Sequence, residues 1–76
     1  MKELLTYVAK NLVDDPDAVT VEQYDNNGET ILELHVAQAD MGKVIGRQGR
    51  IAKEIRTLVR SVGQRTGQRV FVEIAD

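Results

Sequence analysis

Apolar residues recur at helical spacing from the first turn of the chain. Leu4, Leu5, Val8, Leu12 and Val13 share one side of a segment that predicts an amphipathic helix over 2–13. Asp14-Asp15-Pro16-Asp17 ends it, because proline disfavours helical geometry at the residue before it. The period then falls to two. Val19-Thr20-Val21-Glu22-Gln23-Tyr24 alternates as a half-buried strand, and the Asn-Gly pair in Asp25-Asn26-Asn27-Gly28-Glu29 signals a hairpin. Thr30 to Ala37 returns, with Leu32, Leu34 and Val36 on one face and Glu33 and His35 on the other. Asp40 is a good N-cap for a short helix from Met41 to Ile45. From Arg50 the helical period resumes, with Ile51, Ile55, Leu58, Val59 and Val62 on one side. Lys53, Arg56 and Arg60 cluster on the opposite side, and Gly63 and Gly67 mark a fraying end. Arg69 to Ile74 is a last strand, with Val70, Val72 and Ile74 inward and Phe71 outward. The order helix, strand, strand, helix, helix, strand predicts an α+β two-layer sandwich with helices on one face of a three-stranded sheet.

Size narrows this picture to one domain spanning 1–76, near the lower limit for a self-sufficient core. An apolar fraction of 42% suffices for a globular fold and argues against disorder. Without cysteine there is no disulfide or thiolate metal site, and a single histidine excludes a His-rich one. Three carboxylates beside Pro16 read as a solvated turn rather than a metal site. His35 has no catalytic partner nearby in sequence and reads as an exposed strand histidine. No run approaches the roughly 18 apolar residues of a membrane span. Thr6, Lys10 and Asn11 interrupt what would otherwise resemble a secretory leader. The expectation is a soluble, cytoplasmic protein with no cofactor, no small-molecule substrate and no catalysis.

Net charge is −2, which alone argues mildly against nucleic acid. Its distribution reverses that. Residues 1–40 set nine acidic side chains against Lys2 and Lys10 only. Residues 41–72 hold Lys43, Arg47, Arg50, Lys53, Arg56, Arg60, Arg65 and Arg69 against Glu54 alone. An acidic half joined to a basic half produces a local positive field despite the acidic isoelectric point.

The basic half opens on Val44-Ile45-Gly46-Arg47-Gln48-Gly49-Arg50-Ile51. Two glycines bracketing two polar residues permit a tight loop that brings backbone N–H groups close to a ligand. The helix expected from Arg50 adds unpaired N–H groups and its positive dipole end, a combination suited to phosphate. Arg47 and Arg50 add charge there. A Walker loop needs four residues between its glycines, then Lys and Ser/Thr, whereas Gly42 and Gly46 enclose three and are followed by Arg47 and Gln48. The dinucleotide fingerprint lacks its first glycine.

The Val44–Ile51 stretch resembles the signature of the KH domain, a module that binds single-stranded RNA and sometimes DNA. The order αββααβ resembles its type II, prokaryotic form, which implies a mixed sheet. Size and layout are similar to the small single-KH bacterial family called KhpA. The resemblance covers roughly residues 2–75 and implies backbone contact at Gly46, Arg47, Gln48 and Gly49. It also implies a base groove of Val44, Ile45 and Ile51 with Val36 and Ala37 from the strand. Lys43, Arg50 and Lys53 are expected to join in RNA binding through their charge, and Lys53, Arg56 and Arg60, opposite the core stripe, to act by general electrostatic attraction rather than base contact. Few aromatics border such a groove, which implies weak discrimination among bases, as in an RNA chaperone or post-transcriptional regulator. The resemblance further implies a homodimer, or a heterodimer with a larger KH-containing RNA-binding protein. The competing expectation is a KH-like assembly domain that binds protein and has little RNA affinity; the acidic first half would serve it.

Overall fold

The computed structural model describes residues 1–75, so a domain drawn to residue 76 ends one residue beyond them. Helix α1 (Lys2–Leu12) precedes a hairpin of β1 (Thr20–Asn26) and β2 (Glu29–His35). Helices α2 (Met41–Ile45) and α3 (Arg50–Arg65) follow, then β3 (Arg69–Ile74). Single 3-10 turns at Pro16–Ala18, Gln38–Asp40 and Arg47–Gly49 join them. This is the αββααβ order read from the sequence, an α+β fold with a mixed sheet.

Strand β2 lies at the centre of the sheet. It pairs antiparallel with β1, from Thr20 opposite His35 to Asn26 opposite Glu29. The tight turn between them needs positive φ at both central residues, and Asn27 (53°) and Gly28 (84°) supply it. The pairing of β2 with β3 is parallel, from Glu29 beside Arg69 to Leu34 beside Ile74. A parallel pair requires a crossover, and α2, the glycine loop and α3 form it. Leu5, Ala9, Val19, Val21, Leu32, Leu34, Val44, Ile55, Val59, Val70 and Val72 make one core between helices and sheet.

Four sequence expectations change. Strand β2 ends at His35, so Val36 and Ala37 lie beyond it in the approach to the Gln38–Asp40 turn. Gly63 does not fray: it is buried inside α3, where an added Cβ would lie 3.0 Å from Val70 Cγ2 and 3.2 Å from the Gln68 carbonyl oxygen. Leu58 is 42% exposed, because at about 100° per residue it falls on the rim of the buried arc of α3. Asp40 precedes α2 but makes no capping bond. Its buried carboxylate instead accepts the Asp15 N–H at 3.1 Å and pairs with Lys43 Nζ at 3.5 Å, tying the turn that follows α1 to α2.

Candidate nucleic-acid interface

The loop between α2 and α3 is held in a conformation that few side chains allow. Gly46 has φ 76° and packs its bare Cα against Ile51; a Cβ there would overlap Ile51 Cγ1 and sit 2.9 Å from Ile51 Cβ. Gly49 is left-handed (φ 74°), and so is Gln48 (φ 57°, ψ 26°), which has no glycine's freedom. A non-glycine residue in that region costs about 1–2 kcal/mol and turns up preferentially where a loop clamps a ligand. The Gly46 N–H bonds the Gly42 carbonyl at 2.9 Å and the Gly49 N–H bonds the Gly46 carbonyl at 3.2 Å, so the turn is closed on itself. Beyond it the first N–H groups of α3, a helix of 16 residues, lack intrahelical partners.

Arg47, Gln48 and Arg50 are exposed around this terminus, and Lys53 stands one turn further along α3 on its crest. Among the described residues, no ion pair engages Arg47, Arg50, Lys53, Arg56 or Arg60. Lys43 differs. It bridges Asp14 Oδ2 at 3.2 Å and Asp40 Oδ1 at 3.5 Å. Its bond to Asp14, the charge of Asp14 and that of Asp40 together raise its pKa above the ordinary 10.5, against the opposing effect of desolvation. Burial pushes the Asp40 carboxyl up, but the N–H groups of Asp15 and Asp14 and the Lys43 charge outweigh it, leaving its pKa below 3.8.

Of the three apolar residues expected along a groove, Ile45 is 37% exposed and Ile51 half-buried, while Val44 has no exposed surface and supports the loop from beneath. Val36 and Ala37 are half-buried and follow a central strand whose two edges are already paired. The free edge beside α3 belongs to β3. There the Ala75 N–H bonds the Leu34 carbonyl, so by alternation Val70 and Val72 turn their main-chain groups away from β2.

A cleft of ≈ 340 Å³ opens along that edge, lined by Arg56 and Arg60 of α3, by Val70, Phe71, Val72 and Glu73 of β3, and by Glu29 and Ile31 of β2. Arg56 Nε donates to the Val72 carbonyl at 3.3 Å. Periodicity put Arg56 and Arg60 opposite a core stripe that included Leu58; the buried face is Ala52, Ile55, Val59 and Gly63, which brings Arg56 to its border. Periodicity carries no information on which strand borders the helix, so the cleft was missed. The outward alternation of Phe71 was the one available signal. On its other flank, α3 meets α1 in a mainly apolar groove of Val8, Leu12, Ile51, Ile55 and Leu58, with Glu54 also in its lining.

The family model described as KhpA/KhpB, KH domain matches residues 2–74. A Clostridium acetobutylicum protein named RNA-binding protein KhpA is 54% identical over 74 residues, covering 97% of this chain and 99% of the relative. A protein of the same name from Chlamydia pneumoniae is 47% identical over 76 residues, covering 100% of this chain and 97% of the relative. Among solved structures, a variant of Aquifex aeolicus Era bound to GDP.AlF4- superposes with a TM-score of 0.65 at 21% identity, over 96% of this chain. This chain spans only 28% of that Era, so the likeness concerns fold alone. The αββααβ order with a parallel β2–β3 pair is the type II KH arrangement, and the chain belongs to the KhpA/KhpB KH-domain family.

Proposed function

We propose that this protein binds single-stranded RNA, gripping the backbone with Gly46, Arg47, Gln48 and Gly49 and laying bases along the flank of α3. The observation that carries this reading is the loop: a strained Gln48 and a glycine without room for a Cβ present backbone N–H groups at the start of a long helix. The unpaired Arg47, Arg50 and Lys53 draw phosphate towards it, and Ile45 and Ile51 offer apolar surface next to the loop. Lys43 contributes mainly through its field, since Asp14 and Asp40 hold it. Further along, Arg56, Arg60 and the Val70–Val72 edge extend the track; Arg56 is about 10 Å from Gly49 along the helix. Only Phe71 offers an aromatic face there, so contacts are aliphatic and main-chain, with little base selectivity. Such binding suits an RNA chaperone or a post-transcriptional regulator in the cytoplasm, and the names of the relatives support RNA as ligand. Among the described residues, no helix is long and apolar enough to cross a membrane.

A second reading, assembly with another KH protein or with itself, is favoured by one observation. Leu58 is 42% exposed in the groove it forms with Val8, Leu12 and Ile51. The two readings meet at Ile51, which borders both the loop and this groove; the rest of the groove lies on the flank of α3 away from β3.

The deciding experiment replaces both loop residues, Arg47→Asp and Gln48→Asp. Asp tolerates the left-handed region better than Gln, so the fold survives, with stability changed by about 1 kcal/mol or less. Titrating fluorescent single-stranded RNA should show binding reduced at least about tenfold, as two carboxylates replace attraction with repulsion. Wild-type affinity should fall with salt at a log–log slope of roughly −1.4 to −2.1, for two or three neutralised phosphates. A folded double variant that binds like wild type refutes the RNA reading.

A further inference from the structure

The face of the sheet turned away from the helices carries two adjacent rows of side chains. Tyr24, Ile31 and Phe71 stand in register across the three strands, and Glu22, Glu33 and Glu73 form the next row. Tyr24 is 48% and Phe71 39% exposed, an apolar strip open to solvent. In the second row three carboxylates face one another at the strand spacing of about 4.8 Å, an arrangement that is unfavourable when like charges sit directly opposite. Among the described residues, no Lys or Arg forms an ion pair with any of the three. Among the described residues their one ion-pairing partner is His35, with Nε2 at 2.8 Å from Glu33 and 3.8 Å from Glu22, and only when protonated; Lys2 reaches Glu22 through its charge alone. The Tyr24 hydroxyl donates to Glu22 at 2.7 Å and fixes that carboxylate between the rows. That bond, desolvation and the surrounding carboxylates raise the Tyr24 pKa to about 12.

We propose that this outer sheet face docks a basic amphipathic helix of a protein partner, apolar side chains on Tyr24–Ile31–Phe71 and Arg or Lys on Glu22–Glu33–Glu73. Charge complementarity selects that occupant. Phosphate-bearing RNA would meet a row of carboxylates, whereas cations from a partner relieve their mutual repulsion. The dimensions agree. Residues i, i+3 or i+4, and i+7 of a helix span about 10 Å, and three strands place their side chains over about the same distance. The loop and the body of α3 lie on the opposite layer; Ile31, Phe71 and Glu73 border both this face and the Arg56–Arg60 cleft, so the two ligands would meet only along that edge.

The test uses the full chain, labelled with nitrogen-15, and an end-blocked synthetic helix of leucine and arginine arranged as one apolar and one basic stripe. Amide shifts should move in β1, β2 and β3, with Glu22, Tyr24 and Glu33 prominent. Glu22→Gln with Glu33→Gln, and separately Tyr24→Ser, should each weaken the peptide about fivefold, the effect of losing two exposed ion pairs or one partly exposed apolar contact. Circular dichroism and RNA affinity should stay at wild-type values in both variants. The proposal fails if the peptide moves the Asp14–Asp17 turn instead, or if both variants bind it undiminished. It also fails if single-stranded RNA shifts Tyr24 as strongly as the loop, which would make RNA the occupant. Concentration-dependent shifts of the same rows without peptide would assign the face to a second copy and likewise overturn it.

Discussion

Single residues decide whether the loop keeps its shape. Gly46 combines a positive φ with contact against Ile51, so Gly46→Ala meets both backbone strain and overlap. A loss of about 2 kcal/mol or more is expected, measured as a lower midpoint in urea. Asp40 acts at a distance. Its pKa is depressed in the folded state, so its contribution is complete above the unfolded value of 3.8 and disappears as pH falls through the lower folded value. Asp40→Asn should therefore be less stable than wild type at pH 7, with the gap narrowing as acid titrates the wild-type carboxylate; thermal melts across pH 2–7 report it. A constant gap would mean that shape rather than charge matters. These two residues also mark what a sequence reveals. Gly46 was legible because a positive φ next to a helix start has a local code in glycine. The partner of Asp40 was not, because Asp15 lies 25 positions away and no local pattern encodes that bond.

At the scale of elements, periodicity located α1, α3 and all three strands, since each buries one face and repeats at its own period. It could not say which neighbour each flank of α3 meets. Leu58 therefore looked like core, and Arg56 and Arg60 like plain solvent face, until β3 was in place beside them. Gly63 shows the same limit: glycine near a helix end suggests fraying, yet here it admits β3 to close approach. Gly63→Ala would gain about 1 kcal/mol of helix propensity. The new methyl group meets the Gln68 carbonyl, which cannot retreat because the Gln68 N–H is bonded to Gly63 at 2.8 Å. A net destabilisation of about 1 kcal/mol is expected, and a stabilised variant would show that the strand yields.

Across the whole molecule, the proposed RNA track and the groove proposed for self-contact lie on different flanks of α3 and share Ile51. Sedimentation at micromolar concentration should show a dimer, and Leu58→Glu should weaken it by about tenfold or more by placing a charge in the apolar groove. RNA binding by the monomeric variant should persist at the single-site level, losing only the gain from two linked sites. An unchanged dimer would exclude that groove as the interface. The bond from Arg56 to the Val72 carbonyl has one more consequence. An open strand edge is a template on which another chain can add a strand and seed a fibril. Arg56 occupies one of the acceptors such a strand would need, and bound nucleic acid would cover the rest. If RNA runs along this edge as proposed, keeping the edge in solution and holding RNA become a single chemical task, shared by the same guanidinium.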